Sequence, residues 1–269
     1  MGPIPVKIPA AMAFRVTMLG SGTSTGVPVI GCPCAVCHSA DPRNKRWRTG
    51  LKLELAGGIA LVDTPTDLRA QALRFGLPRL DAVLFTHSHA DHIFGLDDIR
   101  IFNFRQEASI PCYGSVATLE AIRRTFSYVF EAGQEGGGKP QIELLPVREP
   151  FEVLGATVIP VPVLHGSLEV FGFRIGSFAY VTDCSAIPES SFEMLAGVEI
   201  LILDALRYRP HPTHFSLDEA MAAAARIGAA RTIFTHLSHD VDHAAPAVPL
   251  APGMELGYDG LAFDVSDTL

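Results

Sequence analysis

The densest chemistry in the chain lies at Thr86-His87-Ser88-His89-Ala90-Asp91-His92, where four potential metal ligands fall within six residues as His-x-His-x-Asp-His. Three imidazoles and a carboxylate so close together suit zinc, iron, manganese and similar divalent ions. The cluster follows the apolar run Asp81–Phe85, which reads as a buried strand, and apolar character resumes at Ile93-Phe94. The ligands therefore stand at the carboxyl end of a strand, where open α/β sheets place their binding sites.

Other acids and histidines occupy equivalent positions. Asp63 follows Ile59–Val62, His165 follows Thr157–Leu164, and Asp183 follows Phe178–Val181. Asp204 follows Glu199–Leu203, and His236 follows Arg231–Thr235. Each of these segments reads as a strand, so their ends are expected to converge on one rim. His87, His89, Asp91, His92, His165, Asp183 and His236 are too many donors for one tetrahedral or five-coordinate ion. They suit two ions roughly 3.5–4 Å apart sharing a carboxylate. Asp63 and Asp204 are expected to back the imidazoles, since metal-bound histidines donate their other N–H to such groups.

Cys32-Pro33-Cys34-Ala35-Val36-Cys37 offers three thiols for a tetrahedral zinc, with a fourth ligand needed from elsewhere. His38, His239 and His243 all stand open for that place. Cys112 and Cys184 read as buried small residues. The glycine-rich stretch Gly20–Gly26 fits neither the dinucleotide fingerprint nor the P-loop spacing, and reads as a tight loop near the metals. The basic run Arg43, Lys45, Arg46 and Arg48 around Trp47 reads as solvated surface, with an anion entrance as the alternative. Arg207 and Arg209 are candidates for a substrate phosphate, and His211 reads as loop surface.

The elements that must position these groups are legible in outline. Phe14–Leu19 and Leu51–Leu55 alternate as strands, and Gly57-Gly58 makes a hairpin turn. A helix is expected from Thr66, as N-cap, to Phe75, with Gly76 beyond its end. Ser115 caps a second helix, whose Val116, Leu119, Ile122, Phe126 and Val129 share a buried face. Gly133–Gly138 reads as a flexible loop. Pro160 and Pro162 suggest an edge strand. A helix is expected over 188–196, and Ser216–Glu219 is a capping box opening an alanine-rich helix that stops at Gly228.

At 269 residues, 48% hydrophobic and 19% charged, the chain can bury a sizeable core, and it is expected to form a single domain over 1–269. The formal charge of −8 argues against broad binding to nucleic acid or an anionic membrane. No apolar run reaches transmembrane length, and no signal peptide is apparent. Five cysteines, an odd number, favour metal binding in a reducing, cytoplasmic setting.

The set His87-x-His89-x-Asp91-His92, His165, Asp183 and His236 resembles the metallo-β-lactamase superfamily. The resemblance implies an α/β fold, the αββα four-layer sandwich of two mixed sheets flanked by helices. It places His87, His89 and His165 on one metal, Asp91, His92 and His236 on the other, and Asp183 between them. A narrower likeness joins Leu19–Ser24, the three cysteines and Thr235-His236-Leu237-Ser238-His239 to the phosphoribosyl 1,2-cyclic phosphate phosphodiesterases of the carbon–phosphorus lyase pathway. That likeness implies a structural zinc on Cys32, Cys34, Cys37 and His239, and His214 as general acid. It also implies a homodimer.

These readings together give two active-site ions, zinc or manganese, and hydrolysis of a small phosphorylated substrate, a cyclic sugar phosphodiester, through a metal-bridging hydroxide. His214, Asp91 and Asp183 are the expected catalytic residues. Neither extended nucleic acid nor a membrane is an expected partner. Three alternatives share parts of the pattern: a transfer-RNA 3′-end endonuclease, another ester hydrolase of the fold, and a non-catalytic protein like the pyrroloquinoline quinone biosynthesis protein B.

Overall fold

A computed structural model describes residues 13–131 and 138–266. The Gly133–Gly138 loop expected from sequence lies almost wholly outside them. Two seven-stranded sheets organise the chain. In spatial order the first holds β14 (Ala262–Ser266), β1 (Ala13–Gly20), β2 (Gly50–Leu55), β3 (Gly58–Val62), β4 (Ala82–Leu84), β5 (Ile110–Gly114) and β6 (Ile142–Pro146). The second holds β13 (Met254–Leu256), β12 (Arg231–Thr235), β11 (Ile200–Asp204), β10 (Phe178–Val181), β9 (Leu168–Ile175), β8 (Ala156–His165) and β7 (Phe151–Val153). Both sheets are mixed: β3 to β6 and β10 to β13 pair in parallel, the rest antiparallel.

The inner faces of the sheets enclose one core, in which Phe14, Val16 and Met18 meet Phe171, Phe173, Phe178 and Ile202. The outer face of the first sheet is covered by α2 (Leu68–Arg74), α3 (Ala90–Ile93), α4 (Arg100–Gln106), α5 (Val116–Thr125) and α6 (Ser127–Phe130), through Leu68, Ile93, Phe102 and Ile122. The outer face of the second is covered by α7 (Glu189–Met194) and α8 (Leu217–Ile227), through Leu195, Leu217 and Ala220. A short α1 (Ala35–His38) belongs to the cysteine segment. Each apolar face is thus buried against another layer, giving the expected αββα sandwich.

Several local expectations need correction. The helix expected from Thr66 begins at Leu68, because Asp67 stands at the cap and spends its carboxylate on Arg48 instead of the helix amides. Val116, expected in the core, is 59% exposed at the first helical turn, while Leu119 and Ile122 are buried. β8 is not the outermost strand. Its partner β7 reaches only Val158, so Pro160 and Pro162 lie past the end of that ladder and pair with β9 alone. Their missing N–H groups cost the sheet nothing there. The capping box at Ser216 and Glu219 forms as expected, and Gly228 closes α8 with φ +77°.

Candidate active site and metal-ligand clusters

The strand ends meet along one edge of the sandwich. β3 delivers Asp63, and β4 leads through Thr86 to His87 and then to His89, the N-cap of α3, which carries Asp91 and His92. β8, β10 and β12 deliver His165, Asp183 and His236. Asp63, Asp183 and His236 have φ of 65°, 54° and 60°, a region that residues bearing a Cβ adopt only at a cost of ~1–3 kcal/mol. The chain bears that strain where each strand turns its side chain into the site.

All seven expected donors come together, in two groups that share Asp183. One comprises His87, His89, His165 and Asp183, the other Asp91, His92, Asp183 and His236. Asp183 Oδ2 lies 3.6 Å from His87 Nε2, and its Oδ1 lies 3.2 and 3.6 Å from Nε2 of His92 and His236. Asp91 Oδ2 sits 3.5 Å from His92 Nε2 and 3.7 Å from His236 Nε2. The Nε2 atoms of His87, His92 and His236 are buried and have no hydrogen-bond partner. Buried polar atoms are seldom left so. Three orphaned nitrogen lone pairs facing one carboxylate fit a pair of divalent ions, and the N/O donor set suits zinc or manganese. His89 is exposed and marks the side on which the cluster opens to solvent.

The opposite ring nitrogens are held from behind. His92 Nδ1 meets Asp63 Oδ2 at 2.7 Å, and Asp63 in turn accepts from the Thr86 amide and hydroxyl, each at 2.8 Å. His165 Nδ1 donates to the Thr213 carbonyl at 2.7 Å, and His87 Nδ1 lies 3.0 Å from Thr86 Oγ1. Such partners fix the tautomer and ring direction. Burial works against the charge on Asp183, but His236, His92 and His87 outweigh it and hold the carboxyl well below the ordinary range. Burial pushes the His87 imidazole well down, whereas His92 and His236, equally buried, are held up by Asp183 and the neighbouring carboxylates, His236 to about 9.

A third group joins Asp204, His214 and His236. Asp204 Oδ2 lies 3.1 Å from His214 Nδ1 and also accepts from the Cys184 amide at 3.0 Å. Its Oδ1 lies 3.5 Å from His236 Nδ1. The His214 ring stacks on His236, with centroids 4.6 Å apart and planes at 15°, and meets the His165 ring edge at 4.6 Å. His214 thus borders a histidine from each group. Its loop is pinned by Phe215, whose amide donates to the Cys184 carbonyl at 2.6 Å. His211 lies on a loop, as expected, half-buried with its ring 5.3 Å from that of His214 and 3.1 Å from the Thr213 hydroxyl. Sequence carried no sign of those contacts, because a histidine in a proline-rich turn has no periodicity to place it.

The thiols form the fourth group. Sγ of Cys32, Cys34 and Cys37 lie 3.2, 3.6 and 3.6 Å from His239 Nδ1. The Cys37 amide donates to Cys34 Sγ at 3.4 Å and draws that thiol down to about 6, while burial pushes Cys37 up to about 11. Three sulfurs and one nitrogen in contact fit a tetrahedral cation. His38 and His243, the alternatives for the fourth place, stay outside.

Two basic expectations change. The run around Trp47 is not simply solvated: Arg46 is 1% exposed, its guanidinium bonded to the Ser238 and Val241 carbonyls and to Asn44 Oδ1. Arg207 spends its guanidinium on the Arg209 and Pro210 carbonyls, and Arg209 turns toward Asp240, so neither is committed to the cluster. The glycine loop is tight, as expected. A Cβ on Gly22 would stand 2.8 Å from the Arg46 carbonyl oxygen, so the glycine serves close backbone approach.

Residues 60–237 match the β-lactamase superfamily domain. A crystal structure described as a new diphosphatase from the PhnP family is 45% identical, with a TM-score of 0.88, over 95% of this chain and 98% of that one. Zinc-bound PqqB from Methylobacterium extorquens shares the fold at 20% identity and a TM-score of 0.76, over 93% of this chain and all of that one. Among curated sequences, an octanoyltransferase of Porphyromonas gingivalis is 40% identical over 92% of this chain, which spans only about half (51%) of that protein's length. With both the domain match and the near full-length identity in hand, the chain belongs to the metallo-β-lactamase superfamily of hydrolases and, within it, to the PhnP family.

Proposed function

We propose that the chain is a dinuclear metal-dependent phosphohydrolase that opens a small cyclic sugar phosphodiester. The carrying observation is the set of three buried, unpartnered Nε2 atoms turned toward Asp183. In this reading His87, His89 and His165 hold one ion, Asp91, His92 and His236 the other, and Asp183 both. Cys32, Cys34, Cys37 and His239 hold a structural zinc. Two divalent ions so placed supply ionisation of water near neutral pH and neutralise charge on the phosphoryl oxygens.

The chain's own residues do the rest. Asp63 aims His92 and the Thr213 carbonyl aims His165. Asp204 holds His214 through Nδ1 and leaves Nε2 free to pass a proton to the departing oxygen. A sugar alkoxide is a poor leaving group and needs that proton, whereas a departing phosphate does not. The His214–Asp204 pair therefore favours the sugar ester. Cleavage of a diphosphate is the second reading, favoured by the activity named for the 45%-identical structure.

The test is a panel of five-membered cyclic sugar phosphates, linear diesters, activated aryl esters and diphosphates, with defined zinc or manganese, on wild type and His214→Ala. The cyclic esters should turn over, and His214→Ala should slow them by about 10²–10⁴-fold while sparing aryl esters. Turnover of diphosphates alone, indifferent to His214, would move the function to the second reading. A panel inert with either metal would overturn both.

A further inference from the structure

A second cleft lies on the outer side of the glycine loop. It encloses about 270 Å³ and is lined by Gly26, Pro28, Lys45, Trp47, Arg48 and Arg74, among others. Gly22 pairs with Arg48 on one side and with Leu237, the neighbour of His236, on the other. At about 4.8 Å per ladder step, the Arg48 and Leu237 backbones stand roughly 10 Å apart across that loop, and the cleft's lining shares no residue with the His/Asp cluster. The cleft is therefore a separate site on the same edge of the sandwich.

Its charge is unbalanced. Asp67 is the one carboxylate in the lining and is already engaged, accepting from the Arg48 guanidinium at 3.1 Å and the Arg48 amide at 2.9 Å. Lys45 donates to the Cys37 carbonyl, and Arg74 lies over the Trp47 ring, 5.1 Å from its centroid; among the described residues neither has a carboxylate partner. Arg46 adds a buried guanidinium whose hydrogen bonds all go to neutral oxygens. In a chain of net charge −8, Lys45, Arg46 and Arg74 gather at one cleft with no carboxylate in ion-pair contact, Asp259 acting on Arg46 and Arg74 only from further off, and a cleft so lined favours an anion.

The same cleft carries the chain's single tryptophan. Trp47 is half-buried, packed edge-on to Phe75 at 6.1 Å and flanked by Arg74. An aromatic ring beside a guanidinium binds a planar ring carried by an anion, the ring by stacking and the anion by charge. The volume falls just below the ~300–1,000 Å³ of pockets for drug-sized ligands, which admits one such unit and no length of polymer.

We propose that this cleft binds a nucleotide, its phosphate between Lys45 and Arg74 and its base against Trp47. The site is independent of the hydrolytic chemistry, and its occupation requires no catalytic turnover.

Trp47 reports on its own site, since no other tryptophan contributes to the emission. AMP is titrated into the purified protein while that fluorescence is followed, with ribose 5-phosphate and adenosine as partial probes. AMP should change the emission saturably, and each partial probe should bind at least about tenfold more weakly, the loss expected when a stacking or charge contact is removed. Arg74→Ala should weaken AMP by a similar factor, and Asp183→Asn should leave it unchanged. Absence of a saturable response to AMP would overturn the proposal. So would ribose 5-phosphate binding as well as AMP, or a response lost in Asp183→Asn and kept in Arg74→Ala, which would put AMP on the metal cluster.

Discussion

His87, His92, Asp183 and His236 are each 2% exposed or less, His87, Asp183 and His236 just past strand ends and His92 on α3, whereas Cys32, Cys34 and His239 are half-buried on loops at the periphery. Both regions gather donors for cations, yet they are built on opposite plans. The deep cluster uses nitrogen and oxygen, backs its imidazoles with second partners, and keeps an exposed His89 on its open side. The peripheral one uses three sulfurs and one nitrogen, which already complete a tetrahedron and leave no position for a substrate. Openness and strained backbone belong to the region proposed to do the chemistry. Closure belongs to the region proposed to hold a loop in place.

That contrast can be broken in three ways, taken from the largest effect down. Asp183→Asn removes the only donor common to both deep groups. Turnover should fall by about 10³-fold or more and bound metal should drop, with the circular dichroism spectrum unchanged. Full activity would mean that the deep cluster does not work as a pair. Cys37→Ser should do the reverse. It should lose the peripheral metal and lower the melting temperature by roughly 5–10 °C, while activity per folded molecule falls only several-fold. An unchanged melting temperature and metal content would deny the thiols their structural role.

The smallest effect concerns the loop between the regions. Asp259 accepts from the Ser21 amide and hydroxyl at 2.9 and 2.8 Å and from the Trp47 amide at 2.7 Å, and burial raises its carboxyl from 3.8 to about 6. Because the folded value is the higher one, its favourable contribution is complete below about pH 4 and is lost as pH rises through about 6. Wild type should therefore lose up to about 3 kcal/mol over that window relative to Asp259→Asn, read from denaturant midpoints at a series of pH values. Parallel pH profiles would show that the carboxyl titrates in the folded protein as it does unfolded.

Much of the deep cluster was legible because strand ends announce themselves. An apolar strand closely followed by His or Asp occurs at Asp63, His87, His165, Asp183, Asp204 and His236, and each such residue reaches the site or backs it. The role of Asp183 between two groups was not available from spacing. It came from resemblance, since no local rule says which carboxylate two distant strands will share. β13 and β14 went unread, at three and five residues amid glycine and proline. Arg46 was misread for a different reason. Its acceptors at Ser238 and Val241 come from nearly 200 positions away, and a run of charge cannot disclose carbonyls that tertiary folding will bring to it.

His236 belongs to the deep cluster and His239 to the peripheral one, and only Leu237 and Ser238 lie between them. Three residues span at most ~10 Å, and here both ends are anchored, with Leu237 also tied through its amide to the Ser21 carbonyl at 2.9 Å. The segment is a short link that couples the two clusters. Any play at the outer anchor is delivered to the imidazole of the inner one, so the precision of the reactive centre is inherited from a joint that takes no part in the reaction.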